Sequence, residues 1–244
     1  MKTLTRRVAL VTGASGGIGQ AIARGLAAEG AAVALGYGSH AEPADKLAEE
    51  LVAAGGLAVA IGADLSQANA PDELVDAVES SLGAVEVLVA AAGLGRRQEL
   101  EEVSLDDFDE MLAVNLRAPF RLAQRTVPGM RERGFGRVLF FSSVAAFTGG
   151  VVGPHYAASK AGLHGLTHFL ASRLASSGVT VNALAPALIT ETRMLPGDPQ
   201  ELRARVPVGR LGRPEEVADL ALAILRNPYM TNQVVGLDGG IYPR

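Results

Sequence analysis

The chain has 244 residues, 48% of them hydrophobic, with 22 Lys and Arg against 26 Asp and Glu for a formal net charge of −4. That length can bury one sizeable core, and the even spread of charge argues against a nucleic-acid partner. The absence of cysteine excludes disulfides, thiolate metal sites and a Cys nucleophile, and no metal site is expected.

In chain order, short apolar runs recur at 7–11 (RVALV), 32–36 (AVALG), 57–62 (LAVAIG), 85–90 (VEVLVA), 137–141 (RVLFF), 179–184 (VTVNAL) and 233–237 (QVVGL). They read as buried strands, and the segments between them have helical periodicity at 18–29, 43–54, 71–82, 104–133, 154–177 and 214–226. The first run leads straight into a glycine turn, so the N-terminal stretch reads as a strand rather than a leader. No apolar run approaches the ~20 residues needed to cross a bilayer, which points to a cytoplasmic setting without a membrane partner. Continuous apolar strands separated by helical crossovers predict an α/β fold: a single-domain, doubly wound Rossmann-type parallel sheet of about seven strands with helices on both faces. One domain then fills residues 1–244. The most irregular stretch, 187–212, contains Pro196, Gly197, Pro199 and Pro207 and is a candidate lid over the carboxyl ends of the strands.

The first strand meets the first helix through Gly13, Gly17 and Gly19 in the spacing G-x-x-x-G-x-G. Glycines there permit positive φ and close approach of backbone to a pyrophosphate, and the helix N-terminus offers free N–H donors. At the end of the second strand an acid would select NAD through the ribose 2′-OH. This chain instead has Tyr37, Gly38, Ser39 and His40, with Glu42 the first acid. That corner favours NADP(H) over NAD(H), although no arginine stands by to hold a 2′-phosphate. Asp64, after the third strand, could meet the adenine edge or cap a turn.

Tyr156 and Lys160 stand four residues apart, on one face of a helix that Pro154 can start. An ammonium beside a phenol favours the phenolate and would lower its pKa of about 10. Thirteen residues before the tyrosine, Ser143 ends the fifth strand, where an open α/β sheet presents functional groups.

Taken together, TGASGGIG (12–19), ADLS (63–66), AAG (91–93), VNL (114–116), SS with YAASK (156–160), VNALAP (181–186), PVGRLGRPEEVA (207–218) and LDGG (237–240) resemble the short-chain dehydrogenase/reductase family along the whole chain. Within it, the likeness is greatest to 3-oxoacyl-[acyl-carrier-protein] reductases. The resemblance implies that Ser143 holds a substrate carbonyl, Tyr156 is the general acid, Lys160 binds nicotinamide ribose and lowers the tyrosine pKa, and Asn115 anchors a water in a proton relay. It implies cofactor contacts from Gly13, Ser15, Gly17, Ile18, Gly19, Tyr37, Ser39, His40, Asp64, Leu65, Ala91, Gly93, Pro186, Ile189 and Thr192, with Thr190 competing, and from Tyr156 and Lys160 themselves. The implied reaction is NADPH-dependent reduction of a carrier-bound 3-oxoacyl thioester to the (3R)-hydroxyacyl product, in a homotetramer or a dimer. A free ketone, sugar or secondary-metabolite alcohol is the alternative substrate, and a non-catalytic NADP-binding regulator the remote one. Substrate choice would lie in residues 93–103, 144–155 and 187–206, with His155 a neutral wall of the pocket.

The chain also departs from the family pattern. Ala90 and Ala91 stand where relatives commonly carry asparagines before Ala92 and Gly93, Gly16 replaces a basic residue, and Ala187 replaces a glycine. Arg133 and Arg173 are near the positions where relatives that dock an acidic carrier protein keep arginines, with Ser176 and Ser177 closing the helix.

Overall fold

The structure is a computed structural model that describes residues 4–192, 194–195 and 197–243. Pro196 of the candidate lid lies outside the described residues. In chain order the elements are β1 (Val8–Thr12), α1 (Gly17–Ala28), β2 (Ala32–Tyr37), α2 (Glu42–Ala53), β3 (Ala58–Gly62), α3 (Ala70–Leu82), β4 (Val87–Ala90), α4 (Leu105–Leu112), α5 (Ala118–Glu132), β5 (Gly136–Phe141), α6 (Ala145–Thr148), α7 (Pro154–Leu174), β6 (Val179–Pro186), α8 (Pro199–Arg203), α9 (Pro214–Arg226) and β7 (Val234–Leu237).

All seven strands run parallel in the order β3-β2-β1-β4-β5-β6-β7. The continuous apolar strands follow from burial on two faces, because alternate residues of each strand enter opposite layers. Ala9 and Val11 pack with Ile22 and Leu26 of α1, Leu47 of α2 and Val217 of α9, whereas Val8 and Leu10 pack with Leu74 of α3, Leu122 of α5 and Leu163 of α7. The chain winds outward from β1 to β3 and then returns to β1's other edge as β4. The carboxyl ends of β1 and β4 therefore diverge, and a crevice opens between them.

Gly13 and Gly19 are dictated by the turn that enters this crevice. Gly13 has φ +71°, and a Cβ there would lie 2.8 Å from the backbone of Ala91 and Ala92. A Cβ on Gly19 would sit 2.3 Å from the Gly13 carbonyl oxygen, so the glycine lets α1 cross close above the turn.

The segment 104–133 is not one regular helix. α4 and α5 are joined by a π-helical turn over Ala113–Arg117, in which the Ala118 amide donates to the Ala113 carbonyl. Pro119 follows at the second position of α5; its ring excludes the carbonyl of residue 115, and it has no N–H to give. The wide turn accommodates both facts and places Asn115 in the buried interior. Residues 187–212 are also more ordered than a plain loop. They hold α8, Asp198 accepts from the Gln200 amide as its cap, and Ile189 pairs with Gly212 in a parallel bridge.

Replacing Gly19 by Ala is expected to lower unfolding free energy by about 1–3 kcal/mol, because the obstructing atom is backbone and cannot rotate away. Gly165→Ala, where an added Cβ meets nothing within 4 Å on α7, is expected to raise it by about 0.5–1 kcal/mol. Urea denaturation of the two variants checks both signs.

Candidate active site

Two cavities share the carboxyl edge of the sheet. The larger, of about 620 Å³, follows the ends of β1 to β4 and is lined by Gly13, Ser15, Tyr37, Ser39, His40, Asp64, Leu65 and Gly93 among others. The smaller, of about 290 Å³, lies at the ends of β5 and β6 and contains Ile18, Ala91, Ser143, Tyr156, Lys160, Pro186, Ile189 and Thr192. Gly17 and Gly19 line neither cavity: Gly17 packs beneath the Glu191 carbonyl and Pro214, and Gly19 beneath Gly13. Met194 borders both cavities and was not legible in the sequence, since a lone methionine in an irregular segment carries no pattern. Its sulfur lies 3.1 Å from where a Cβ on Gly95 would be.

In the larger cavity, Ser39 and His40 are exposed at the end of β2, with Ser39 Oγ 2.9 Å from His40 Nδ1. Glu42 turns instead to Lys46, at 2.7 Å. Asp64 closes its own turn: Oδ1 accepts from the Ser66 amide and hydroxyl at 3.1 and 2.7 Å. Those bonds lower its pKa, the Ser66 hydroxyl most. Asp64 is thus both a turn cap and a cavity wall.

Around the smaller cavity, Tyr156 and Lys160 come from the first two turns of α7 and are 7% and 3% exposed. Lys160 Nζ donates to the Phe141 carbonyl at 2.9 Å, which ties the helix to the end of β5. Desolvation lowers the Lys160 pKa to about 8. The tyrosine behaves opposite to the expectation from charge alone. Burial raises its pKa, and a hydrogen bond with the Ser143 hydroxyl pulls it only part of the way back. Lys160 Nζ is 5.8 Å from the center of the phenol ring, so in this pocket the loss of water outweighs the ammonium.

Asn115 is fully buried, and its amide is spent on structure. Oδ1 accepts from the Leu94 amide at 2.7 Å, while Nδ2 faces the Leu94 carbonyl at 3.0 Å and Ser159 Oγ at 3.1 Å. The loop after β4 is held at a second point by Thr12, whose hydroxyl accepts from the Ala92 amide at 3.1 Å. These two side chains brace the loop that the Ala90–Ala92 run cannot brace itself. A Cβ on Gly93 would lie 3.2 Å from both Asn115 Oδ1 and Lys160 Nζ, so the glycine keeps that space open.

His155 does not line the pocket. It is 0% exposed, with neither ring nitrogen hydrogen-bonded, and burial lowers its pKa. The first turn of α7 carries it inward beneath the 94–104 loop, where Gly153 lies against the ring. Among the described residues, no helix is long and apolar enough to cross a membrane and no cluster of His, Asp and Glu could hold a metal.

The family model for short chain dehydrogenases matches residues 7–202. The 3-oxoacyl-[acyl-carrier-protein] reductase of Synechocystis sp. is 36% identical over 244 residues, 99% of each chain. The acetoacetyl-CoA reductase of Cupriavidus necator is 34% identical, covering 98% of this chain and 99% of its own. Among solved structures, a blue fluorescent protein from a metagenomic library in complex with NADPH superposes with a TM-score of 0.92 at 36% identity, over 99% of this chain and all of that one.

The Lys160 ammonium makes a test of the site's energetics. Its pKa falls from 10.5 to about 8 on folding, so the cost of burying the charge is complete below pH 8 and fades as pH rises toward 10.5. Lys160→Met is therefore expected to be more stable than wild type at pH 7, by on the order of 2 kcal/mol. The gap should shrink between pH 8 and 10. Unfolding curves at pH 7, 8, 9 and 10 read it, and a gap independent of pH would contradict the assignment.

Proposed function

The chain belongs to the short-chain dehydrogenase family and is an oxidoreductase that uses a nicotinamide cofactor, and from that premise we propose that it reduces a 3-oxoacyl thioester with NADPH. The observation that carries the proposal is one apolar cavity lined by Ser143, Tyr156 and Lys160 and bordering the larger cavity at Met194.

The residues present fit the cofactor. Gly13 and Gly93 line the larger cavity without a side chain to obstruct it, and α1 directs its N-terminal amides toward the Gly13–Ser15 turn. When bound, the reduced nicotinamide supplies the hydride. Tyr37, Ser39 and His40 would hold the adenosine end, Asp64 and Leu65 the base, and Pro186, Ile189 and Thr192 the carboxamide end. The absence of an acid at the Tyr37–His40 corner and the diversion of Glu42 to Lys46 support NADP(H) over NAD(H).

Ser143 hydrogen-bonds the carbonyl oxygen of the substrate and favours the charge that develops there. Tyr156 then donates its proton to that oxygen. A phenol whose pKa is raised by burial stays protonated at neutral pH, which suits an acid in the reductive direction. Lys160 holds the ribose and re-supplies the proton. Because the Asn115 amide is engaged with Leu94, the relay water sits on the backbone carbonyl of residue 115, which lacks a helical donor at Pro119. Residues 187–212 close over the substrate as a lid. Leu105, Phe120 and Phe169, exposed on α4, α5 and α7, support self-association, which we read as a cytoplasmic homotetramer.

The family resemblance extends to relatives named for carrier-protein and for coenzyme A thioesters, so the choice of thioester is the part to test. Acetoacetyl-carrier protein and acetoacetyl-CoA are expected to be reduced with a kcat/KM well above that of simple ketones; turnover of the ketones alone would overturn the thioester assignment. Tyr156→Phe is expected to reduce kcat by roughly 10²–10⁴-fold while NADPH still binds in a fluorescence titration. NADPH should exceed NADH in kcat/KM by at least about tenfold, and a reversed ratio would refute the reading of the Tyr37–His40 corner.

A further inference from the structure

The wall of the smaller cavity carries a charge that the chemistry at Tyr156 does not use. Most of that wall is apolar: Val151, Val152, Leu188, Leu195, Leu202 and Ile241 face the space. Nearly every polar side chain on it already has a partner. Thr148 donates to the Val144 carbonyl at 3.2 Å, Thr192 to the Ile189 carbonyl at 2.9 Å, and Ser142 lies 2.7 Å from His164 and 3.1 Å from the Lys160 carbonyl. Ser143, Tyr156 and Lys160 form the reacting end. Arg205 is the remaining polar group. Among the described residues its guanidinium has no hydrogen bond or ion pair, in contrast to Arg210, five residues on, which is bonded to Glu216 at 2.5 Å.

Among the described residues no carboxylate lines this cavity, and the two charged groups that do, Lys160 and Arg205, are both cations. The larger cavity differs, since Asp64 and Glu110 border it. Arg205 is also held in place from the backbone. It follows α8, its amide donates to the Leu202 carbonyl at 3.1 Å, and Leu202 and Val206 on either side of it are buried in one cluster with Leu211. The side chain is exposed at the rim while its root is fixed. A guanidinium on an apolar wall, without a carboxylate to neutralise it, recognises an anion by charge and by paired N–H donors.

We propose that Arg205 is a specificity-determining residue that binds an acidic group of the substrate, a phosphate or a carboxylate, at the mouth of the cavity opposite the reacting carbonyl. This deepens the reading of that cavity as the carbonyl site and rests on it. A phosphate would come from the pantetheine arm of a thioester, and a carboxylate from a free 3-oxo acid.

The test compares two matched pairs of substrates in wild type, Arg205→Gln and Arg205→Lys: acetoacetyl-CoA with the neutral S-acetoacetyl-N-acetylcysteamine, and acetoacetate with neutral ethyl acetoacetate. The readout is the ratio of kcat/KM for the anionic over the neutral member. Arg205→Gln should lower that ratio by at least about fivefold in one pair, with Arg205→Lys intermediate, and the pair that moves identifies the acid. Calorimetric titration of acetoacetyl-CoA and of acetoacetate should show the same loss of affinity without turnover. If thioesters are not substrates at all, the thioester reading fails, and the acetoacetate pair and its titration still decide the role of Arg205. Equal effects on both members of each pair, unchanged ratios and affinities, or a change confined to the KM for NADPH would each overturn the proposal.

Discussion

The site depends on keeping one ammonium and one phenol out of water at the end of a strand. Lys160 is anchored by its bond to the Phe141 carbonyl, and that bond exists because α7 packs its first two turns against the carboxyl end of β5. Dehydration acts on both groups in the direction that favours the neutral form: the lysine titrates near pH 8 and the tyrosine is held protonated. The two proton affinities move apart: the lysine falls from 10.5 to about 8 while the tyrosine rises above 10.0, so return of a proton from the ammonium to the phenolate is downhill. The same burial costs stability, so the rest of the core must supply what these residues withdraw.

The parallel sheet makes that arrangement accessible. Every strand ends on the same edge, so Thr12, Tyr37, Ala90, Phe141 and Pro186 are brought to one rim although they are spread along the chain. The two outward windings leave the crevice at β1 and β4, where Gly13 packs against the Ala91–Ala92 backbone and both Gly13 and Gly93 line the larger cavity. Ser143, two residues past β5, and Tyr156 and Lys160 on α7 stand beside that crevice, and residues of the segment after β6 line the same cavity. Met194 and Ile189 in that segment touch the smaller cavity, and Met194 reaches the larger one as well. Closure of the segment would thus be felt in both.

Much of this was legible in the sequence because it rests on local patterns. Seven apolar runs with helical segments between them specify the sheet, and the i, i+4 spacing of Tyr156 and Lys160 specifies a shared helix face. What was not legible depends on contacts between distant segments. His155 adjoins Tyr156 in sequence, yet the helix turns it about 100° away and buries it off the pocket wall. The direction of the Tyr156 shift could not be read from its neighbour's charge, since desolvation is a property of the closed pocket. The π-helical turn over Ala113–Arg117 has a local signal in Pro119, but that signal fixes only that the helix must open, not that Asn115 will meet Leu94 across 21 residues.

Asn115 shows how the departure at Ala90–Ala91 is absorbed. A loop entering the crevice needs its backbone groups satisfied, and alanines at 90 and 91 offer none of the side-chain partners that asparagines would. Thr12 takes the Ala92 amide, and Asn115 bonds both the amide and the carbonyl of Leu94, as a neighbouring strand would. The burden moves from the loop to β1 and to the π-helical turn. A consequence is that the Asn115 amide is committed to the loop, and any proton path through this turn must run over the backbone carbonyl that Pro119 leaves without a helical donor. Loop position and the proposed proton path then depend on one residue, so a change that relaxes the turn at 113–117 is expected to disturb both together.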